Sequence, residues 1–277
     1  MTPVLRAGSL QSRRSWWRAR LLVLQVAFPI ALIVAWQFAA DRMGMAFFTS
    51  SPLAVLDFLA TNTLSGWLLS HARVTFYEAA IGFVFGALLG IVVGLLLAVL
   101  ETPRRILEPY FVALYGTPVI SLAPLFVIWF GIGLGSKVAI AFLIVFMPVF
   151  YNTFQGVKNV PHELLNAVRV LGASRFDLWR KVVLPAASPW IITGLKVALP
   201  QALVGAVVGE FIASSAGIGY LVQYYAALFD MTGVLATTLL MAAVVVGLNE
   251  ALNRIEARVL RWRPRIGTTV IDDARRK

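Results

Sequence analysis

The stretch VTFYEAAIGFVFGALLGIVVGLLLAVL, residues 74–100, carries one charged side chain, Glu78. A helix rises about 1.5 Å per residue, so roughly 20 apolar residues cross the ~30 Å hydrocarbon core of a bilayer. The stretch is long enough to do so and reads as a membrane-spanning helix. Its glycines, Gly82, Gly86, Gly90 and Gly94, recur at every fourth residue. That spacing lays them along one smooth stripe, on which a second helix can approach closely. The stripe predicts packing and no chemistry.

Outward from this run, five more of the same kind are readable: Leu21–Ala40, Leu107–Phe130, Val138–Phe154, Trp190–Ser214 and Leu235–Ile255. The expected fold is therefore all-α, a polytopic membrane protein with six transmembrane helices. Pro118 and Pro124 interrupt the third run, and Pro200 the fifth. Proline lacks a backbone donor, and a break at membrane depth persists only where protein or a cavity surrounds it. Two readings stay open for these breaks, a kinked packing helix or a segment lining a path. Arg13, Arg14, Arg18 and Arg20 precede the first run. That run exceeds the roughly 7–15 residues of a signal-peptide core and reads as a retained span.

The loops divide by charge. Arg104, Arg105, Lys158, Arg169, Arg175, Arg180, Lys181 and the series Arg254, Arg258, Arg261, Arg263, Arg265 fall in one alternating set, and the other set holds Arg42, Arg73 and Lys137. By the positive-inside rule both termini and the 155–189 connection are expected in the cytoplasm. The chain then reads as a basic cytoplasmic N-terminus (1–20), a transmembrane domain (21–260) with a cytoplasmic loop at 161–185, and a cytoplasmic tail (261–277).

Composition excludes several function classes. The chain is 60% hydrophobic and 13% charged, against about 45–50% and about 25% in soluble domains. The net charge of +11 is carried by residues between the apolar runs, which fits membrane topology and not nucleic-acid binding. There is no cysteine, and the two histidines, His71 and His162, lie far apart. No thiol chemistry, disulfide or metal cluster is expected. A charge at the bilayer centre costs about 2.5–3.5 kcal/mol on insertion scales, so buried carboxylates are functional candidates. Glu78 lies near the outer end of its span, within reach of the interface. Glu210 is either a buried hydrogen-bonding group or a gate residue. No catalytic constellation is present. The segment Gly131–Lys137, GIGLGSK, misses the phosphate-loop pattern because Ser136 and Val138 flank its lysine. No cofactor is expected in this chain, and ATP would have to be bound by another polypeptide.

The longest basic connection is PHELLNAVRVLGASRFDLWRKVVLP, residues 161–185. Pro161 suits a first helical turn. Leu164, Val168 and Leu171 repeat on one face, and Gly172 suits a helix C-terminus. Ser174 can cap a second helix, with Asp177 three residues on. Phe176, Leu178, Trp179 and Val182 add apolar bulk, and Leu184-Pro185 closes the element before the fifth span. Two short helices about a glycine turn would expose apolar and basic side chains together. Such a surface suits a protein partner or the lipid headgroups.

Asn166-Ala167-Val168, Gly172 four residues beyond, and Val182-Val183-Leu184-Pro185 keep the spacing of the EAA loop of binding-protein-dependent ABC importer permeases, which this chain resembles over most of its length. The stretch Ser121–Gly133, with Gly172-Ala173-Ser174, Leu184-Pro185-Ala186, Gly209-Glu210-Phe211 and Gly217-Ile218-Gly219, resembles the nitrate, sulfonate and taurine branch. Asn166 stands where the pattern has Glu, and Val168 where it has Ala. The missing carboxylate removes any ion pair carried by that position and leaves the glycine turn intact.

The resemblance implies a MetI-like importer-permease fold in a bacterial inner membrane, with a second permease copy as homodimer. Separate ATPase subunits would bind ATP, and a periplasmic or lipid-anchored binding protein would deliver substrate. Docking would fall on Asn166, Ala167, Val168, Gly172, Ala173, Ser174, Leu184 and Pro185, and the path would pass Pro118, Pro124 and Glu210. The substrate implied is a small anion such as nitrate, a sulfonate or taurine. A thiamine-precursor pyrimidine or riboflavin is the alternative. A different class, the ion-gradient-driven secondary transporter, is weakened by the scarcity of membrane-centred carboxylates.

Overall fold

The computed structural model describes residues 7–42 and 50–259, and every element it contains is helical. The first six residues, the segment 43–49 and residues 260–277 with Arg261, Arg263 and Arg265 lie outside the described residues. The helices are α1 (Ala7–Arg42), α2 (Pro52–Leu64), α3 (Trp67–Val99), α4 (Glu101–Gly116), α5 (Ala123–Phe130), α6 (Leu134–Lys158), α7 (His162–Val170), α8 (Arg175–Leu178), α9 (Leu184–Ile212), α10 (Ile218–Ala227) and α11 (Met231–Val259). Five are long and apolar enough to cross a membrane, or six if α4 and α5 form one broken span.

The glycine stripe decides the core. A Cβ added at Gly82 would lie 2.5 Å from Ala141 Cβ, and one at Gly94 would lie 2.8 Å from Thr153 Cβ, so only glycine allows α3 to lie this close to α6. Helix α9 covers α6 from another side through Gly194 and Gly205, which face Asn152 and Ala141. Small side chains at these contacts replace the hydrophobic effect as the reason for close packing within lipid. Ala79, Val145, Val149, Ala198 and Ala206 fill the space between the three helices. Phe146, Phe150 and Phe154 fill a second cluster with Leu97 and Met147, nearer the 155–185 loop.

Several expected boundaries change. The run Leu107–Phe130 is not one helix. Helix α4 stops at Gly116, a short 3-10 turn covers Val119–Leu122, and α5 leaves at 87° to α4. The corner falls at Pro118, and Pro124 sits in the first turn of α5, where its missing N–H leaves no bond unmade. Pro200, by contrast, does not interrupt the fifth span. Helix α9 passes through it unbroken, because neighbouring helices and side chains can satisfy the backbone group that a proline frees inside a membrane. The spans around Val138 and Trp190 begin earlier, at Leu134 and Leu184. Helices α2 and α10 are additional.

Candidate functional site

Residues 161–185 fold as a hairpin that leads into the long helix α9. Helix α7 begins at His162 and ends in a paired glycine cap. Gly172 N–H donates to Arg169 O at 2.9 Å, and Ala173 N–H donates to Val168 O at 3.3 Å. This is the Schellman arrangement, which needs a left-handed residue after the helix. Gly172 supplies it with φ of +82°. Ser174 then caps α8. Its hydroxyl accepts from Asp177 N–H at 3.1 Å and donates to Asp177 Oδ2 at 2.6 Å, while Lys181 pairs with the same carboxylate at 2.7 Å.

The hairpin has an apolar foundation and an apolar ridge. Val160, Leu178, Val182 and Val183 are buried together, with Leu165, Val168 and Trp179 packed on them. The inward face of α7 is Leu165 and Val168, while Leu164 and Leu171 of the expected apolar face stand exposed. Val170, Leu171 and Phe176 stand at the glycine turn with 87%, 84% and 72% of their surface exposed. Of the residues expected at the docking turn, Asn166, Ala167, Gly172 and Ser174 are exposed, while Val168 and Ala173 are half-buried. Arg169 donates to the Asn166 side chain at a long 3.5 Å. Val170 was not singled out by the spacing argument, although it flanks the turn.

Leu184 and Pro185 do not close the element as expected. A π-turn over Trp179–Val183 joins α8 directly to α9, with Leu184 N–H reaching back to Trp179 O. The wider turn precedes Pro185, which has no N–H to give. One continuous rod therefore runs from the hairpin into the bundle.

The opposite end of the bundle is polar inside. Glu78 does not reach the interface. Its side chain is 3% exposed and pairs with Lys137 at 3.0 Å. Lys137, expected in an outer loop, also donates to Ser214 Oγ at 2.8 Å. Glu210 is wholly buried. It accepts from Thr75 Oγ1 at 2.7 Å and from Gly219 N–H at 2.6 Å. Thr75 in turn accepts from Ile218 N–H at 2.7 Å, and His71 Nδ1 accepts from Gly217 N–H at 3.0 Å. Glu210 thus ties α3, α9 and α10 together, whereas Pro118 and Pro124 lie exposed at the α4–α5 corner. Sequence reasoning missed Thr75, Lys137 and His71 as members of this knot. A lysine close to the start of an apolar run was the available signal.

Residues 86–261, more than half of the chain, match the family described as binding-protein-dependent transport system inner membrane component. The chain belongs to that family. The permease is 32% identical over 237 residues to the formylaminopyrimidine transport permease protein ThiX of Halalkalibacterium halodurans, covering 85% of this chain and 94% of that one. It is 31% identical over 268 residues to the taurine transport system permease protein TauC of Escherichia coli, covering 94% and 98%. The riboflavin transport system permease protein RibX of Chloroflexus aurantiacus is 34% identical over 232 residues, covering 83% and 87%. In fold, the permease resembles an inward-facing MetNI methionine ABC transporter chain, with a TM-score of 0.61 at 21% identity over 70% of this chain and 96% of that one. An amino acid ABC transporter chain gives 0.60 at 17% identity over 74% and 98%. The permease is accordingly a multi-pass membrane protein of the ABC importer type, with a MetI-like fold.

Proposed function

We propose that this permease forms half of a translocation path and that its 161–185 hairpin seats a separate ATPase subunit. The observation that carries the reading is the exposed ridge of Val170, Leu171 and Phe176 about Gly172, standing on a buried foundation. Exposed apolar side chains held rigidly, with basic residues beside them, are the makings of a docking surface. Asn166, Ala167, Val168, Ala173 and Ser174 complete the seat, and Leu184-Pro185 carry it into α9. ATP stays with the partner, and this chain binds no cofactor.

The loop charges favour a cytoplasmic hairpin and cytoplasmic termini. A binding protein then delivers solute at the end that holds the Glu78–Lys137 pair. A second copy of the chain completes the path, in which the α4–α5 corner at Pro118 and Pro124 is a wall. Glu210 belongs to the packing that shapes that outer end. The solute is small and organic, of the kinds named for the relatives: a sulfonate such as taurine, or a pyrimidine or flavin ring.

Gly172→Asp tests the reading. A side chain at +82° is strained by about 1–2 kcal/mol, and a carboxylate lands on the apolar ridge. Membrane insertion is expected to be normal, ATPase co-purification reduced, and solute uptake lost. Normal co-purification together with normal uptake would refute the docking assignment.

A further inference from the structure

We infer that the wedge between α4 and α6 is a transient seat for a flat, uncharged heteroaromatic solute rather than for a small anion. The inference rests on the permease reading above and narrows its substrate class. The wedge encloses about 490 Å³, within the roughly 300–1,000 Å³ of small-molecule pockets. Five of its lining residues are aromatic: Phe111, Tyr115, Phe150, Tyr151 and Phe154. Phe111 closes one wall on Phe150 with ring centroids 4.3 Å apart, and Tyr115 stacks on Tyr151 at 5.7 Å and 27°. Tyr115 and Tyr151 nonetheless stay 61% and 47% exposed, so their ring surface is not consumed by packing.

Charge decides against an anion. Arg104 and Glu108 are the charged residues lining the wedge, and they face each other at 3.6 Å. A sulfonate would have to take Arg104 from Glu108 and then lie beside that carboxylate. An uncharged ring makes no such demand. It stacks on the tyrosines, and the Gln155 amide offers a donor and an acceptor to its edge.

The position of the wedge supports the same conclusion. Beyond Gly116 the chain turns through 87° from α4 into the segment that ends with α5. Irregular backbone at membrane depth borders protein or a water-filled cavity and not lipid, and interrupted helices line solute sites in other transporters.

The test is saturation-transfer NMR on the permease–ATPase complex in nanodiscs, with 4-aminopyrimidine as probe and ethanesulfonate as competitor. Saturable binding of the probe is expected, unaffected by the sulfonate. Loss of a stacking ring weakens base binding by about tenfold, so Tyr115→Ala and Tyr151→Ala are each expected to weaken the probe by that factor. Tyr115→Phe and Tyr151→Phe keep the ring and are expected to keep the affinity. Tyr220→Ala, a ring at the opposite end, is expected to change nothing. Absence of probe binding, binding that survives both alanine variants, or displacement by ethanesulfonate would each overturn the inference. Recovery of the intact complex is scored in the same preparation. A complex that forms without binding the probe removes this inference alone, whereas failure to form a complex removes the docking reading.

Discussion

The two ends of the bundle treat their difficult groups in opposite ways. At the hairpin end, large apolar side chains stand exposed around Gly172, over a small buried base. At the other end, carboxylates and an ammonium are buried, with Thr75, Gly219 and Ser214 as hydrogen-bonding partners. Exposed apolar surface is favourable to cover and costs little until a partner arrives. A buried ion becomes costly once its partner is removed. The first end leaves apolar surface to be covered, whereas the second holds its charged groups against partners of its own chain, although Glu78 Oε2 has no hydrogen-bond partner among the described residues.

That contrast can be broken by substitution. The largest effect is expected for Lys137→Met, which strands Glu78 at a site where the pair is nearly inaccessible. Removing one partner of a buried pair costs about 3–5 kcal/mol, read as a marked fall in the thermal unfolding midpoint in detergent. Adding Glu78→Gln to that variant is expected to restore most of the loss. If the single variant is as stable as the parent, the far end is not self-sufficient. Thr75→Val comes next. It leaves Ile218 N–H without its acceptor and Glu210 with Gly219 N–H but without the Thr75 hydroxyl, at about 1–3 kcal/mol by the same measurement. Ser174→Ala removes the α8 cap for about 1 kcal/mol, and ATPase co-purification is expected to weaken with it. Phe176→Ser is expected to move stability least, within about 0.5 kcal/mol for an exposed position, while reducing ATPase retention severalfold. A stable Phe176→Ser protein with full ATPase retention would show that the ridge is not the seat.

The apolar runs and the Gly82–Gly94 stripe made the approximate number of spans and the close approach of α3 to α6 legible, because length and spacing largely determine them. The Gly172 turn and the Ser174 cap were legible for the same local reason. Burial of Lys137 was not. Hydropathy counts composition, and a lysine beside an apolar run looks like a loop residue unless the facing Glu78 is known. Pro200 misled because proline removes one bond, while the packing of α9 on its neighbours decides whether the helix yields. The π-turn at Trp179–Val183 has no sequence signature that spacing could detect. It lies where the short helix α8 meets the long helix α9. Helices α2 and α10 were missed because each is too short to pass as a span.

The glycine contacts of α6 have a mechanical consequence. Gly82 and Gly205 both press against Ala141, one from α3 and one from α9. Farther along, Gly90 meets Val149, while Gly194 meets Asn152 and Gly156 meets Trp190, each step on α6 matched by one step on its neighbours without slip. Sliding any helix past another would drive Cβ atoms into glycine seats all along the contact at once. The three helices are keyed like splines on a shaft, so the freedom left to them is to rock as one body. Because Trp179–Val183 runs directly into α9, a displacement there would turn the three helices together.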